Sequence, residues 1–240
     1  MEPLEVGMFI GLGADPWGSL KRVEDLGFTS VQVTAPPEEF FKEPKRRELI
    51  DAVKRSKVRI TTMFAHFRGE SYADLPTIRR TVGLVPPQYR EERIKKAFEI
   101  SDLAKELGVK RVAAHIGFIP EDPNDPNYRP LVEAVRKIAD KCAENGQEFC
   151  LETGQETAPT LLRFIKDVNR DNLKVNFDPA NMILYGSGDP IEALEMLGKY
   201  VVGVHAKDGK WPIREGTLGT EYPSDREMWA SRGSSKSLRR

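Results

Sequence analysis

The sequence predicts a single α/β domain built as a (β/α)8 barrel, and three observations support this fold. Short runs of β-branched residues alternate with longer amphipathic segments, which is the pattern of parallel strands joined by helices. Polar side chains follow several of the apolar runs, at intervals close to one strand-plus-helix unit. The length of 240 residues suits a barrel of this type as one domain.

The first half of the chain predicts three strands, over residues 6–10, 30–33 and 58–64. The helices predicted in this half cover residues 16–26, 45–56 and 91–107. The segment 68–89 contains Pro76, Pro86 and Pro87. We expect a long irregular connection there that acts as a lid or a binding loop.

The second half continues the alternation with four strands, predicted over residues 111–114, 148–151, 173–177 and 201–204. Helices are predicted over residues 131–144, 159–168 and 190–197. Seven strands of this kind indicate a (β/α)8 barrel that lacks its last βα unit. A seven-stranded open sheet is the alternative.

The charge balance limits the partners of the protein. The chain carries 37 basic and 37 acidic residues, so neither nucleic acid nor an anionic membrane is predicted as a partner. Its apolar runs are far shorter than a membrane span and its N-terminus lacks the features of a signal peptide, so we expect a cytoplasmic protein. Cys142 and Cys150 are expected to be buried thiols rather than a disulfide.

Five potential ligand or acid–base groups stand where predicted strands end, namely His66, His115, Glu152, Asp178 and His205. The carboxyl ends of parallel strands meet at one rim of a barrel, so we expect these side chains to converge. Glu152, Asp178 and His205 offer two carboxylates and an imidazole. This donor set binds Mn²⁺, Co²⁺, Mg²⁺ or Zn²⁺ without strong selection. The sequence therefore predicts a divalent metal site at this rim.

Three segments that overlap or follow these strands carry a resemblance, FCLETGQE at 149–156, NFDPANMILYG at 176–186 and VHAKDGKW at 204–211. They resemble the xylose isomerase-like TIM barrel superfamily, which includes sugar phosphate isomerases and epimerases and ketose 3-epimerases. In that family a Glu, an Asp, a His and a final Glu hold the metal, and Glu152, Asp178 and His205 match the first three. The resemblance implies isomerisation or epimerisation of a small ketose, sugar acid or sugar phosphate, in which Glu152 moves a proton through an enediolate.

Further polar residues near the strand ends are candidates for contacts with a sugar, namely His66, His115, Gln155, Glu156, Asn181, Lys207 and Asp208. His66 and His115 could instead serve a second metal or be hydrogen-bonded rim histidines. For Gln155 and Glu156 the alternative is a purely structural role in the loop. Lys207 would neutralise a phosphate or carboxylate, or form a surface ion pair. The imidazole or another ligand would be oriented by Asp208.

Several other functions remain open at the level of sequence. A keto-cyclitol dehydratase would use the same fold and the same enolate to expel a β-hydroxyl. An endonuclease IV-type DNA-repair enzyme needs a histidine-rich zinc site, which three histidines and zero net charge do not favour. A catalytically impaired remnant is the remaining alternative. The resemblance also implies a small-molecule sugar as ligand and assembly into homo-oligomers.

Residues 222–240 break the strand–helix pattern, so the predicted domain covers residues 1–221 and the tail is expected to be disordered. The resemblance implies a further strand and the final glutamate at this point of the chain. A neighbouring reading frame over the tail can encode an apolar, helix-like sequence. We therefore interpret the C-terminus as truncated or frameshifted near Tyr222, which would leave open strand edges and a weakened metal site.

Overall fold

A computed structural model describes residues 5–214 and 216–221 of the chain. Its main sheet has seven parallel strands that are hydrogen-bonded in sequential order. They are β1 (Met8–Gly11), β2 (Ser30–Thr34), β3 (Arg59–Ala65), β4 (Arg111–Ala114), β5 (Glu148–Glu152), β6 (Leu173–Phe177) and β7 (Val201–Val204). This curled half-barrel of parallel strands confirms the predicted α/β barrel fold. Within the described residues, β1 and β7 are its two edges.

Helices lie between successive strands, as the crossover connections of a parallel sheet require. They are α1 (Pro16–Asp25), α2 (Lys45–Arg55), α3 (Leu75–Thr81), α4 (Arg90–Glu106), α5 (Tyr128–Glu144), α6 (Ala158–Val168), α7 (Pro179–Tyr185) and α8 (Pro190–Leu197). A short antiparallel ribbon follows β7 and consists of β8 (Gly209–Lys210) and β9 (Thr220–Glu221). None of the helices described for this chain has the length and apolar character needed to cross a membrane.

The core is one continuous apolar cluster between the strands and the helices. Fully buried members from both include Leu103, Val112, Val135, Phe149, Phe164 and Val175. Cys142 and Cys150 are buried free thiols, as the sequence predicts. Burial raises the pKa of the Cys142 thiol to about 12, so this side chain behaves as a small apolar group.

Side-chain caps decide where the predicted helices begin. Asp15, Thr157 and Asp189 accept backbone hydrogen bonds from the first turns of α1, α6 and α8. Each of these helices also has a proline at one of its first two positions. These signals are visible in the sequence, so the predicted starts lie within one residue of the observed ones.

Two short helices, α3 and α7, are not predicted by the apolar pattern. Each has seven residues, which is too short for a clear helical period. Asp74 and Asp178 cap them, with carboxylate oxygens 2.7 Å from the Thr77 nitrogen and 2.9 Å from the Asn181 nitrogen. The prediction of an irregular connection over residues 68–89 is therefore wrong in part, because α3 occupies its centre.

The predicted tail, residues 222–240, lies outside the described residues, and so does the frameshift expected near Tyr222. The division of the chain into a domain and a tail therefore stays a prediction.

Candidate metal centre

Glu152, Asp178 and His205 come together at the carboxyl end of the sheet. Glu152 is the last residue of β5, and Asp178 and His205 directly follow β6 and β7. One ligand atom of each residue can be chosen so that all three atoms lie within 4.8 Å of one another. Both carboxylates are buried, and the imidazole is mostly covered. Three neighbouring strands thus supply three ligand-type side chains to one small space.

The distances within this cluster place two carboxylates close to cationic groups. The Nδ1 atom of His205 lies 2.8 Å from Oε1 of Glu152 and 3.6 Å from Oδ2 of Asp178. Although Lys207 Nζ is 3.2 Å from the same Asp178 oxygen, that oxygen is buried and makes no hydrogen bond to the described residues. The ammonium group of Lys207 compensates part of the charge of this buried oxygen, whose lone pairs accept no hydrogen bond from the described residues. The donor set and this oxygen together fit a divalent metal ion.

The protonation of the cluster follows from its charges. Burial lowers the pKa of His205, but the Asp178 and Glu152 carboxylates outweigh it and raise that pKa to about 9. Burial raises the pKa of Asp178, yet His205 and Lys207 hold it below its usual range. The neighbouring carboxylates also raise the pKa of Lys207 against the effect of burial. Two buried carboxylates are therefore balanced by a cationic imidazole and an ammonium group.

Two residues that the sequence analysis did not single out complete the surroundings of the cluster. Gln32 on β2 places its Oε1 atom 2.9 Å from Nε2 of His205. Asn176 on β6 donates a hydrogen bond of 2.6 Å from Nδ2 to Oε2 of Glu152. Each is an amide with an apolar residue on either side in its strand, and that break in the pattern is the signal that could have identified them.

The candidates beside the cluster differ in their surroundings. The side-chain amide of Gln155 is buried and makes no hydrogen bond to the part of the chain that the structure describes. Burial, and to a smaller extent the charge of Glu152, raises the pKa of Glu156 to about 8. Asn181 accepts a hydrogen bond of 3.0 Å from Lys207 Nζ. Asp208 accepts one of 2.7 Å from the backbone nitrogen of Gly209.

His66 and His115 lie outside the three-residue cluster. His66 is more than half exposed, lines a cleft of about 380 Å³ beside β1 and β2, and has its Nδ1 atom 3.2 Å from Glu70 Oε2. The His115 ring lies 5.8 Å from the Tyr72 ring, and its buried Nδ1 atom has no hydrogen-bond partner among residues 5–214 and 216–221. Of the five groups expected to converge, the structure therefore brings three into one site.

Comparison with known proteins identifies the family. Residues 20–236 match the family model described as xylose isomerase-like TIM barrel. This chain belongs to that family. A search of the curated proteins gave no match. The family assignment therefore comes from the family model and from solved structures.

Several solved structures are similar to this chain. A xylose isomerase domain protein from Planctomyces limnophilus is 38% identical, with a TM-score of 0.84 over 96% of this chain and 86% of the other. A xylose isomerase-like TIM barrel protein from Mycobacterium smegmatis in complex with magnesium is 19% identical, with a TM-score of 0.64 over 90% and 77%. D-psicose 3-epimerase from Clostridium cellulolyticum, solved with D-tagatose, is 20% identical, with a TM-score of 0.63 over 83% and 72%. The last two similarities establish the fold alone.

Glu70 is a buried carboxylate that fixes the connection between β3 and α4, which contains α3. Its buried carboxylate accepts hydrogen bonds from the backbone nitrogens of Phe67 at 3.0 Å and Gly83 at 2.8 Å, and it also faces His66. Burial raises the pKa of Glu70, but these donors outweigh burial and hold the pKa below its ordinary value of 4.5. One ionised side chain thus joins both ends of the segment that contains α3.

Glu70→Gln is expected to lower the free energy of unfolding at pH 7 by about 1–3 kcal/mol, because an amide cannot replace both charge-assisted hydrogen bonds. A carboxyl group whose pKa is lowered by folding stabilises the folded state at pH values above its ordinary pKa. This stabilisation is lost as the pH falls through the lowered pKa of the folded state. Below pH 4.5 the difference between wild type and variant should therefore shrink. Denaturant titrations at pH 7 and pH 3 measure it. Glu99→Gln, which removes a surface ion pair with Lys96, is the control.

Proposed function

We propose that this chain is a metal-dependent sugar isomerase or epimerase acting on a small ketose, sugar acid or sugar phosphate. The observation that carries the proposal is the buried cluster of Glu152, Asp178 and His205, in which one Asp178 oxygen accepts no hydrogen bond from the described residues. These three residues would hold Mg²⁺, Mn²⁺, Co²⁺ or Zn²⁺. A divalent ion bound there supplies Lewis-acid polarisation of a substrate carbonyl.

In this proposal Glu152 moves the proton. Its carboxylate removes the hydrogen from the carbon next to the substrate carbonyl, and the electrons of the broken C–H bond pass to the carbonyl oxygen to form an enediolate. Return of this proton from Glu152 to the neighbouring carbon completes an isomerisation. An epimerisation takes its proton on the opposite face from a second acid, which would be the final glutamate that the resemblance implies. Asn176 occupies Oε2 of Glu152, so the second oxygen of the carboxylate faces the cluster.

The neighbouring polar residues would bind the sugar. Glu156 is protonated at neutral pH because its pKa is about 8, so it can donate a hydrogen bond to a substrate hydroxyl. The buried amide of Gln155 has unused donors and acceptors within the described structure. Lys207 would neutralise an anionic oxygen of the substrate. The remaining candidates for hydroxyl contacts are His66, His115, Asn181 and Asp208.

The test is solvent exchange. Protein loaded in turn with each of the four ions is incubated in deuterated water with ketoses, sugar acids and sugar phosphates, and NMR then detects the sugars. We expect loss of the proton signal at a carbon adjacent to the carbonyl of one substrate class, together with the epimer or isomer. Loss of water from a keto-cyclitol would instead identify a dehydratase. A protein that binds no metal and exchanges no proton would be a non-catalytic member of the family.

A further inference from the structure

A closed ring of four hydrogen bonds surrounds one side of the candidate metal centre. His205 Nδ1 lies 2.8 Å from Glu152 Oε1, and Asn176 Nδ2 donates to Glu152 Oε2 at 2.6 Å. Gln32 Nε2 donates to Asn176 Oδ1 at 3.1 Å, and Gln32 Oε1 lies 2.9 Å from His205 Nε2. The ring therefore returns to the imidazole on which it began, after passing through three other side chains.

The direction of every bond in the ring follows from the two carboxylate oxygens of Glu152, which accept hydrogen bonds from Asn176 Nδ2 and His205 Nδ1. Asn176 must therefore turn its NH₂ group towards Glu152, and its carbonyl oxygen faces Gln32. Gln32 must then offer its NH₂ group to that oxygen, so its own carbonyl oxygen faces His205. An oxygen beside Nε2 accepts a hydrogen bond, so the Nε2 atom of His205 carries a proton.

The backbone makes specific room for this ring. The register of β2 against β3 shifts between Val31 and Gln32, and the register of β6 against β7 shifts between Val175 and Asn176. Such irregularities re-aim side chains out of the regular strand pattern. β2 and β6 are not neighbours in the sheet, so the bond between Gln32 and Asn176 crosses the concave side of the half-barrel.

Gly203 on β7 lies beside the hydrogen bond between Gln32 and Asn176, and its lack of a side chain leaves room for the two amides. A Cβ atom at this position would lie 2.5 Å from Asn176 Oδ1 and 3.3 Å from Gln32 Nε2. Any larger residue would therefore push apart the hydrogen bond between the two amides. The glycine in the VVGV strand is the residue type that this bond requires.

We propose that Gln32 and Asn176 are positioning residues that keep a proton on Nε2 of His205, so that Nδ1, which otherwise donates to Glu152, is the nitrogen that coordinates a metal ion. The inference rests on the proposed function, because it assumes that a cation binds at this cluster. In a metal-binding histidine, the hydrogen bond made by one ring nitrogen decides which nitrogen is free to coordinate. Loss of such a partner weakens metal affinity by about 10–100-fold.

The test compares Zn²⁺ affinity and imidazole protonation in the wild type and in Gln32→Met. We expect the variant to bind Zn²⁺ about 10–100-fold more weakly by calorimetry. In ¹⁵N-labelled protein with Zn²⁺, His205 of the wild type should show a protected Nε2–H signal, which exchanges rapidly in the variant. The chain has three histidines, so His66→Gln and His115→Gln assign the spectrum.

Gln147→Met is the matched control, because Gln147 is also a buried amide but bonds Ser101 and Val109 at the opposite end of β5. It should leave Zn²⁺ affinity unchanged. Gly203→Ala is a second variant, which crowds Asn176 without removing a polar atom, and it should weaken Zn²⁺ binding in the same direction. If Gln32→Met does not fold, this second variant decides the question.

The possible failures can be told apart. Full Zn²⁺ affinity with a protected Nε2–H signal in folded Gln32→Met would overturn the positioning role and leave the proposed function standing. Coordination of Zn²⁺ through Nε2 in the wild type would also overturn it. A wild-type protein that binds no Zn²⁺, Mg²⁺, Mn²⁺ or Co²⁺ would overturn the proposed function and this inference together.

Discussion

Replacing Glu152 by glutamine is expected to lower turnover by about 10²–10⁴-fold, the range for loss of a general acid–base group. Glutamine keeps the shape of the side chain and can still accept the hydrogen bond from Asn176. It cannot take a proton from carbon, and it removes one negative charge from beside His205. The rate of deuterium incorporation into the substrate under saturating metal measures the effect.

The control for this substitution comes from the same strand. Glu148 begins β5, is partly exposed and pairs with Arg111 at 2.9 Å, whereas Glu152 ends the strand and is buried. Glu148→Gln should leave turnover within about twofold of the wild type, since surface changes of this kind alter stability by less than about 0.5 kcal/mol. Retention of most activity by Glu152→Gln would show that another group moves the proton.

The second large effect is expected from Gly83→Ala. Gly83 has a φ of +71°, and an added methyl group would collide with the backbone carbonyl of Ile116. The same carbonyl accepts hydrogen bonds from the nitrogens of Leu84 at 2.8 Å and Val85 at 3.2 Å, so it cannot move freely. The expected decrease in the free energy of unfolding combines about 1–2 kcal/mol for the left-handed backbone with about 1–3 kcal/mol for the collision.

Gly69→Ala separates these two contributions. Gly69 has a similar φ of +84°, but a Cβ atom there would meet nothing within 4 Å. It should therefore lose only the backbone part, about 1–2 kcal/mol in denaturant titration. Equal losses in the two variants would mean that the contact of Gly83 with Ile116 does not hold the segment in place. The rate of limited proteolysis within residues 68–86 gives an independent measure of how firmly this segment is held, and it should rise more in Gly83→Ala than in Gly69→Ala.

The positions of the strands along the chain were predictable because they depend on local composition. The predicted strands at 173–177 and 201–204 coincide with β6 and β7, since buried parallel strands are rich in apolar residues. The short helices α3 and α7 were not predictable from periodicity, because two turns show too little of it. An Asp-Pro pair at the start of α7 was the available signal.

The candidate site was only partly visible in the sequence. The spacing of Glu152, Asp178 and His205 indicates that they follow neighbouring strands, and this alone predicts that they meet. The same reasoning placed His66 and His115 at the same rim as candidates for substrate contacts, and in the structure His66 pairs with Glu70 while His115 lies against Tyr72. Position after a strand does not determine the direction of a side chain, which depends on local twist and neighbouring contacts.

By itself the sequence determined the class of fold, the positions of the strands along the chain and the identity of the polar residues at their carboxyl ends, because these depend on local patterns. Only the tertiary structure decided which polar groups touch. The bond between Gln32 and His205 joins positions 173 residues apart, and the bond between Gln32 and Asn176 spans 144 residues. Hydrogen-bond direction and the pKa of His205 depend on such distances across the half-barrel, and no local pattern in the chain encodes them.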